Sequence, residues 1–273
     1  MERDSFFAQT TLDLSACNGD AECDAALGAY LLRYLRHSFD ENHRAWLAPE
    51  PHDTLRRTCH AAEVLHQLDL DSHTEGIVRK AGTWLINLKI RFDLPRGKRD
   101  EVRLYPSRFK TLAYLRQFEQ DARSDFVELL ELLHKGTRDA AIECNILNTC
   151  IALDTLLTLR EHERRLDPRL DTHYKSLVRV VRREVRAWHK ARTGEAVARV
   201  ALPAGQGQAA KAAPVATENE NRLAIQNMRD LSYALGLLLR TGRSGLPAEE
   251  AAVVLDSLVA TVERRDRETY RDI

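Results

Sequence analysis

The chain has 273 residues, of which 44% are hydrophobic and 30% charged, a balance typical of a folded protein rather than a disordered one. Its 41 basic and 41 acidic residues cancel, so the net charge does not indicate a nucleic acid or an acidic membrane surface as partner. The sequence contains no run of about 18 apolar residues, and it therefore predicts no membrane span.

The cysteines indicate the compartment. Residues 1–20 carry acids and lack the apolar core of a signal peptide, and the cysteine count of 5 is odd. We therefore expect a cytoplasmic protein with free thiols. Cys17 and Cys23 flank a short loop where a disulfide is the alternative.

Apolar residues recur at helical spacing along most of the chain. The pattern predicts helices at 21–38, 54–68, 74–91, 106–118, 122–135, 140–163, 168–191, 219–241 and 247–267. Asp53 is placed to cap the second helix, and Ser72 and Glu75 have the spacing of a capping box for the third. We interpret 1–20 as an irregular segment and 93–101 as a charged turn. Residues 199–218 are rich in Ala, Gly and Gln and predict a flexible insertion.

A repeat within these helices predicts the architecture. TLRRTCHAAEVLHQL at 54–68 aligns with NILNTCIALDTLLTL at 145–159, so that Thr58 and Cys59 correspond to Thr149 and Cys150. Each copy precedes a turn and a second helix with larger apolar residues. Because one hairpin cannot bury both of its apolar stripes, we predict an all-α domain of stacked helical hairpins over 21–273. The stack would close into an α/α toroid or form an open arc.

The stretch AWLAPEPHDTLRRTCHAAEVLHQLDLDSHTEGIVRKAGTWLINL at 45–88 carries a family resemblance. In this stretch a T-x-x-A/L-x-x-x-L helix is followed by a turn and by an amphipathic helix that ends in W-L. This pattern resembles the α/α toroids of the terpenoid cyclase and protein prenyltransferase superfamily. The resemblance covers about 45–192 and implies an enzyme for a prenyl-like or peptide substrate. The sequence departs from the family at 69–72, where Asp-Leu-Asp-Ser stands in place of the cyclases' D-x-D-D acid motif, and it lacks their Gln-Trp repeats. Asp and Ser are ordinary capping residues in such a turn.

Cys59, His60 and Cys150 form a candidate metal site. Zinc enzymes on related toroids use Asp, Cys and His ligands, so the resemblance implies a zinc ion with two thiolates, one imidazole and an open fourth position. The competing interpretation is that these small cysteines pack a helical core, in which case no cofactor is expected.

Two Arg–His pairs give a different alternative. Arg36 with His43, and Arg183 with His189, resemble the R-x(4–6)-H motif of HEPN-type ribonucleases. Arg and His are frequent in this chain, so pairs at this spacing arise by chance. An RNase is therefore an alternative function, and nucleic acid is not the expected partner.

The leading functional hypothesis is a non-catalytic helical-repeat protein. We expect its concave surface or its mouth to bind a protein, a peptide or an apolar ligand, because curved hairpin arrays commonly present such surfaces. A toroid-type enzyme would need aromatic side chains around its substrate. Aromatic residues are only 6% of the chain, which favours the binding hypothesis over the enzyme.

Overall fold

A computed structural model describes residues 20–68, 71–88, 96–135, 144–163, 166–200 and 228–241. Within these residues the protein is all-α, as predicted, with no β-strand. The helices are α1 (Asp20–Ser38), α2 (Pro51–Gln67), α3 (Ser72–Ile86), α4 (Arg96–Arg103), α5 (Pro106–Tyr114), α6 (Gln120–Lys135), α7 (Ile146–His162), α8 (Pro168–Val200) and α9 (Met228–Arg240). None of the described helices is long and apolar enough to cross a membrane. Residues 1–19, 201–218 and the predicted helix at 247–267 lie outside the described residues.

Three local predictions were wrong at helix starts. Asp53 does not cap α2, because the helix begins at Pro51, whose missing N–H and fixed φ suit a first helical position. The capping box is not formed either, since the Asp71 side chain accepts the Thr74 amide at 2.8 Å and Ser72 is already helical. The supposed charged turn at 93–101 contains the first residues of α4.

The chain divides into two compact units, Met1–Glu128 and Leu129–Ile273. The predicted single domain over 21–273 stays a prediction.

The first unit is organised around α2. This helix contacts α1, α3, α4 and α5, and α3 also contacts α5. Three rings, Phe109, Phe118 and Phe126, pack against one another with centroids 5.1 to 6.3 Å apart. Aromatic contacts of this kind stabilise a fold by more than the burial of their apolar area alone.

The second unit is organised around α7, which contacts α8 and α9 while α8 contacts α9. Its apolar residues are buried on every side, as expected of a helix enclosed by others. Asn145 caps it by accepting the Asn148 amide at 2.8 Å. The helix therefore begins at Ile146, six residues after the predicted start at 140.

The residues of the repeat share their burial. Four pairs of corresponding positions are buried: Thr58, Cys59, Ala61 and Leu65 of α2, and Thr149, Cys150, Ala152 and Leu156 of α7. Consecutive helices pair as predicted, α2 with α3 and α7 with α8. The hydrogen bonds of the two threonines differ, because Thr58 Oγ1 accepts the Trp46 amide at 3.2 Å whereas Thr149 Oγ1 donates to the Asn145 carbonyl at 2.9 Å. The toroid or open arc stays a prediction.

Candidate functional site

A cavity of about 580 Å³ lies between α1 and α2, wholly within the first unit. This volume is in the range of pockets for small ligands. Its lining comes from one face of each helix and from the loop that joins them: Leu31, Tyr34, Leu35, His37, Ser38, Trp46, Leu47, Arg57, His60, Ala61 and Val64. We call it the α1–α2 cavity.

The loop between the two helices fixes Trp46 as a wall of this cavity. Asp40 and Ala45 form an isolated antiparallel bridge that closes the turn, and Arg44 adopts the left-handed conformation that the turn requires (φ 56°). Trp46 is 4% exposed, and its Nε1 donates to the Leu35 carbonyl at 2.8 Å. The indole is thus tied to α1, and its amide is tied to α2 through Thr58.

An ion pair to α3 fixes the C-terminal end of α1. Arg36 donates from Nε to Thr74 Oγ1 and from Nη2 to Asp71 Oδ2, both at 2.7 Å. The Thr74 amide and Arg36 together lower the pKa of Asp71 to about 2, the amide being the larger cause. Asp71 is therefore an ionised helix cap, in agreement with the interpretation of 69–72 as a capped turn; Asp69 and Leu70 lie outside the described residues.

The same contacts show what the first Arg–His pair does in the fold. Arg36 is engaged with the start of α3, while His43 Nδ1 lies 3.0 Å from Asp40 Oδ1 in the loop. In the second pair, the side chain of His189 lies outside the described residues. The ribonuclease hypothesis stays a prediction, and Arg36 has a structural role.

A second cavity of about 530 Å³ lies against the other side of α1. Its lining is Ala29, Leu32, Arg33, Arg36, His37 and His73. His37 lines both cavities, and within the part of the chain that the structure describes neither lining includes a carboxylate. Basic side chains of α1, α2 and α3 therefore lie around the C-terminal half of α1.

The predicted metal ligands have different surroundings. Cys59 is 1% exposed, whereas the adjacent His60 is exposed and lines the α1–α2 cavity. Burial raises the pKa of Cys59 to about 12, although a hydrogen bond with Thr111 acts in the opposite direction. Cys150 belongs to the second unit, where burial, aided by the charges of Asp230 and Asp154, raises its pKa to about 12.

Zinc would require both thiols to lose their protons on binding. Among the described residues, no group of three or more His, Cys, Asp or Glu side chains is arranged to hold a metal ion. The zinc site of Cys59, His60 and Cys150 stays a prediction. Cys59, Cys144 and Cys150 are buried thiols that form no disulfide; the Cys17 and Cys23 side chains lie outside the described residues.

Sequence reasoning missed the buried charges. In the first unit Arg108 is fully buried and donates to the carbonyls of Leu85 (2.7 Å), Arg103 (2.6 Å) and Ile86 (3.1 Å) and to Asp125 Oδ2 (3.1 Å). In the second unit the buried carboxylate of Asp154 accepts from Tyr233 Oη at 2.7 Å and from Arg240. One signal was present in the sequence: each of these charges interrupts the apolar face of a predicted helix.

Comparison of the chain with known protein families, with curated proteins and with solved structures finds no match. The resemblance to the toroid superfamily therefore stays a prediction.

Proposed function

We propose that the first unit is a binding module that holds an apolar ligand in the α1–α2 cavity. The observation that carries this proposal is an apolar cavity with exposed aliphatic side chains in its lining. Leu31 is 38% exposed and Val64 37% exposed, and both line the cavity. Apolar side chains left in water around a concave surface are typical of a binding site.

The exposed apolar surface is concentrated at this place. Among the described residues, the exposed large hydrophobic side chains are Leu27, Leu31, Val64 and Leu239. Leu27 lies one helical turn before Leu31 on α1, so that three of these four side chains lie at or beside the cavity. A scattered distribution would need no explanation, whereas a cluster beside a cavity favours a ligand.

Two polar side chains of the lining already have partners within the protein. Ser38 Oγ donates to the Tyr34 carbonyl at 2.8 Å, and Trp46 Nε1 donates to the Leu35 carbonyl at 2.8 Å. Since the chain itself satisfies these donors, the contacts that this part of the lining offers a ligand are apolar, chiefly from the exposed Leu31 and Val64. The toroid-type enzyme and a protein or peptide partner stay alternative predictions.

The test is titration with N-phenyl-1-naphthylamine, a neutral apolar dye, followed by dye fluorescence and by energy transfer from tryptophan. We expect saturable binding that Leu31→Gln weakens by about fivefold, which corresponds to about 1 kcal/mol of lost apolar contact. The matched control is Leu239→Gln, the same change at a residue that is 51% exposed and belongs to the second unit.

Leu239→Gln should leave the affinity unchanged. Equal affinities of the wild-type protein and both variants would contradict the proposal, as would the absence of saturable binding to the wild-type protein. Circular dichroism of each variant checks that the helices are intact, since both substitutions replace exposed residues and should preserve the fold.

A further inference from the structure

The lining of the α1–α2 cavity carries basic side chains beside its apolar ones. Its polar members include the guanidinium of Arg57 and the imidazoles of His37 and His60, and no Asp or Glu among the described residues lines it. We propose that the ligand is an anionic amphiphile, an apolar chain that ends in a carboxylate, with the carboxylate accepting hydrogen bonds from Arg57. This inference rests on the proposed function, because it requires that the cavity binds an apolar chain.

Arg57 differs from its neighbour Arg56 in a way that supports this assignment. Arg56 pairs with Asp53 at 3.0 Å, one turn earlier on α2. Arg57 donates one hydrogen bond from Nη1 to the Leu47 carbonyl at 3.2 Å, and no carboxylate of the described residues pairs with it. A guanidinium has five N–H donors, so the bond to Leu47 holds Arg57 at the cavity while other donors are left for a ligand.

The spacing on α2 places the cation beside the apolar surface. Arg57, His60, Ala61 and Val64 follow one another at intervals of three and four residues, so they share one face of the helix. The face passes from charged to apolar along its length, with Val64 at the apolar end. A ligand along this face would meet a cation at one end and aliphatic side chains at the other, which is the pattern of an amphiphile.

A carboxylate fits this cation better than a neutral polar group does. The planar fork of a guanidinium matches the two oxygens of a carboxylate, and a charge-assisted hydrogen bond is about twice as strong as a neutral one. The second cavity, which shares His37 and adds Arg33 and His73, brings further basic side chains to the same helix. A cationic amphiphile would be disfavoured by the same groups.

The experiment compares two ligands that share an apolar chain. Dodecanoate and dodecanol, each below the concentration at which it aggregates, are titrated as competitors of N-phenyl-1-naphthylamine on the full chain. We expect dodecanoate to bind the wild-type protein about tenfold more tightly than dodecanol, and Arg57→Gln to reduce this ratio to about one. Arg56→Gln is the matched control: it removes the same charge from the adjacent residue and should leave the ratio at about ten.

The outcomes separate this inference from the function on which it rests. If dodecanol and dodecanoate compete equally with the dye on the wild-type protein, the carboxylate assignment is wrong and the apolar site stands. If the ratio falls equally in Arg56→Gln and Arg57→Gln, the preference is a long-range effect of charge, and the assignment to Arg57 is wrong. If neither ligand competes with the dye, the proposed function fails together with this inference.

Discussion

The two units bury their charged side chains differently. In the first unit both members of an ion pair are enclosed, since Arg108 is fully buried, donates to three backbone carbonyls and pairs with the buried Asp125. In the second unit the buried charged residues are acidic, and the partner of one of them, Asp154, is Arg240, which keeps 38% of its side chain in water.

We expect this difference to determine how strongly the stability of each unit depends on its buried charge. An enclosed guanidinium must find all of its partners inside the protein, and burial lowers the pKa of Arg108 while the pair with Asp125 opposes that change. Arg240 can exchange a protein partner for water, so loss of Asp154 would leave fewer of its N–H donors without a hydrogen bond. The first unit should therefore be the more sensitive to removal of its buried charge.

The largest expected effect is that of Arg108→Met. The substitution leaves the carbonyls of Leu85 and Ile86 without this donor and removes one partner of the buried Asp125 carboxylate. We expect a loss of about 3–5 kcal/mol in the free energy of unfolding, measured by urea denaturation.

Arg103→Met is the matched control for this change. Arg103 pairs with the same Asp125 at 2.8 Å, but its side chain is 20% exposed and it also pairs with the exposed Glu128. A loss of about 1 kcal/mol is expected for this variant. Equal losses for the two variants would show that enclosure of Arg108 does not matter, and the comparison of the units would be wrong.

A smaller effect is expected in the second unit. Asp154→Ala removes the acceptor of Tyr233 Oη and of Arg240, and we expect it to lower the free energy of unfolding by about 2–3 kcal/mol. Arg240 retains Glu161 at 2.9 Å and its contact with water, which limits the cost. The matched control is Glu161→Ala, whose carboxylate is 55% exposed and should matter by less than about 1 kcal/mol. A loss for Asp154→Ala that exceeds the loss for Arg108→Met would reverse the order of the two units.

Most helices of the fold could be predicted from the sequence, but the start of α2 and the short helix α4 could not. The helices followed from apolar periodicity, because a stripe at helical spacing has few other ways to be buried. The start of α2 was misplaced, since Asp53 has the residue type of a cap, whereas Pro51 fixes the helix start through its backbone. α4 was missed because its sequence, RGKRDEVR, carries almost no apolar stripe and contains a glycine.

The candidate site was less predictable than the fold. His60 was singled out as a metal ligand, and the structure places it in the lining of the α1–α2 cavity. The cavity itself depends on the loop that carries Trp46 back against α1, and no periodicity in the sequence encodes that loop. Arg57 was not singled out, because only tertiary contacts distinguish it from Arg56.

The smallest expected effect concerns the helix caps, where the units differ again in charge. Asp71 caps α3 in the first unit and Asn145 caps α7 in the second, each by accepting a backbone amide at 2.8 Å. The pKa of Asp71 is lowered from 3.8 to about 2 in the folded protein, so its contribution to stability is fully present above pH 3.8 and is lost as the pH falls through about 2. Asp71→Asn keeps a capping oxygen but removes the charge, and its unfolding should therefore vary less between pH 4 and pH 2 than that of the wild-type protein. Thermal unfolding across this range measures the effect. Parallel curves for the two proteins would mean that the charge of Asp71 does not stabilise the start of α3, and that the two caps are equivalent despite their different chemistry.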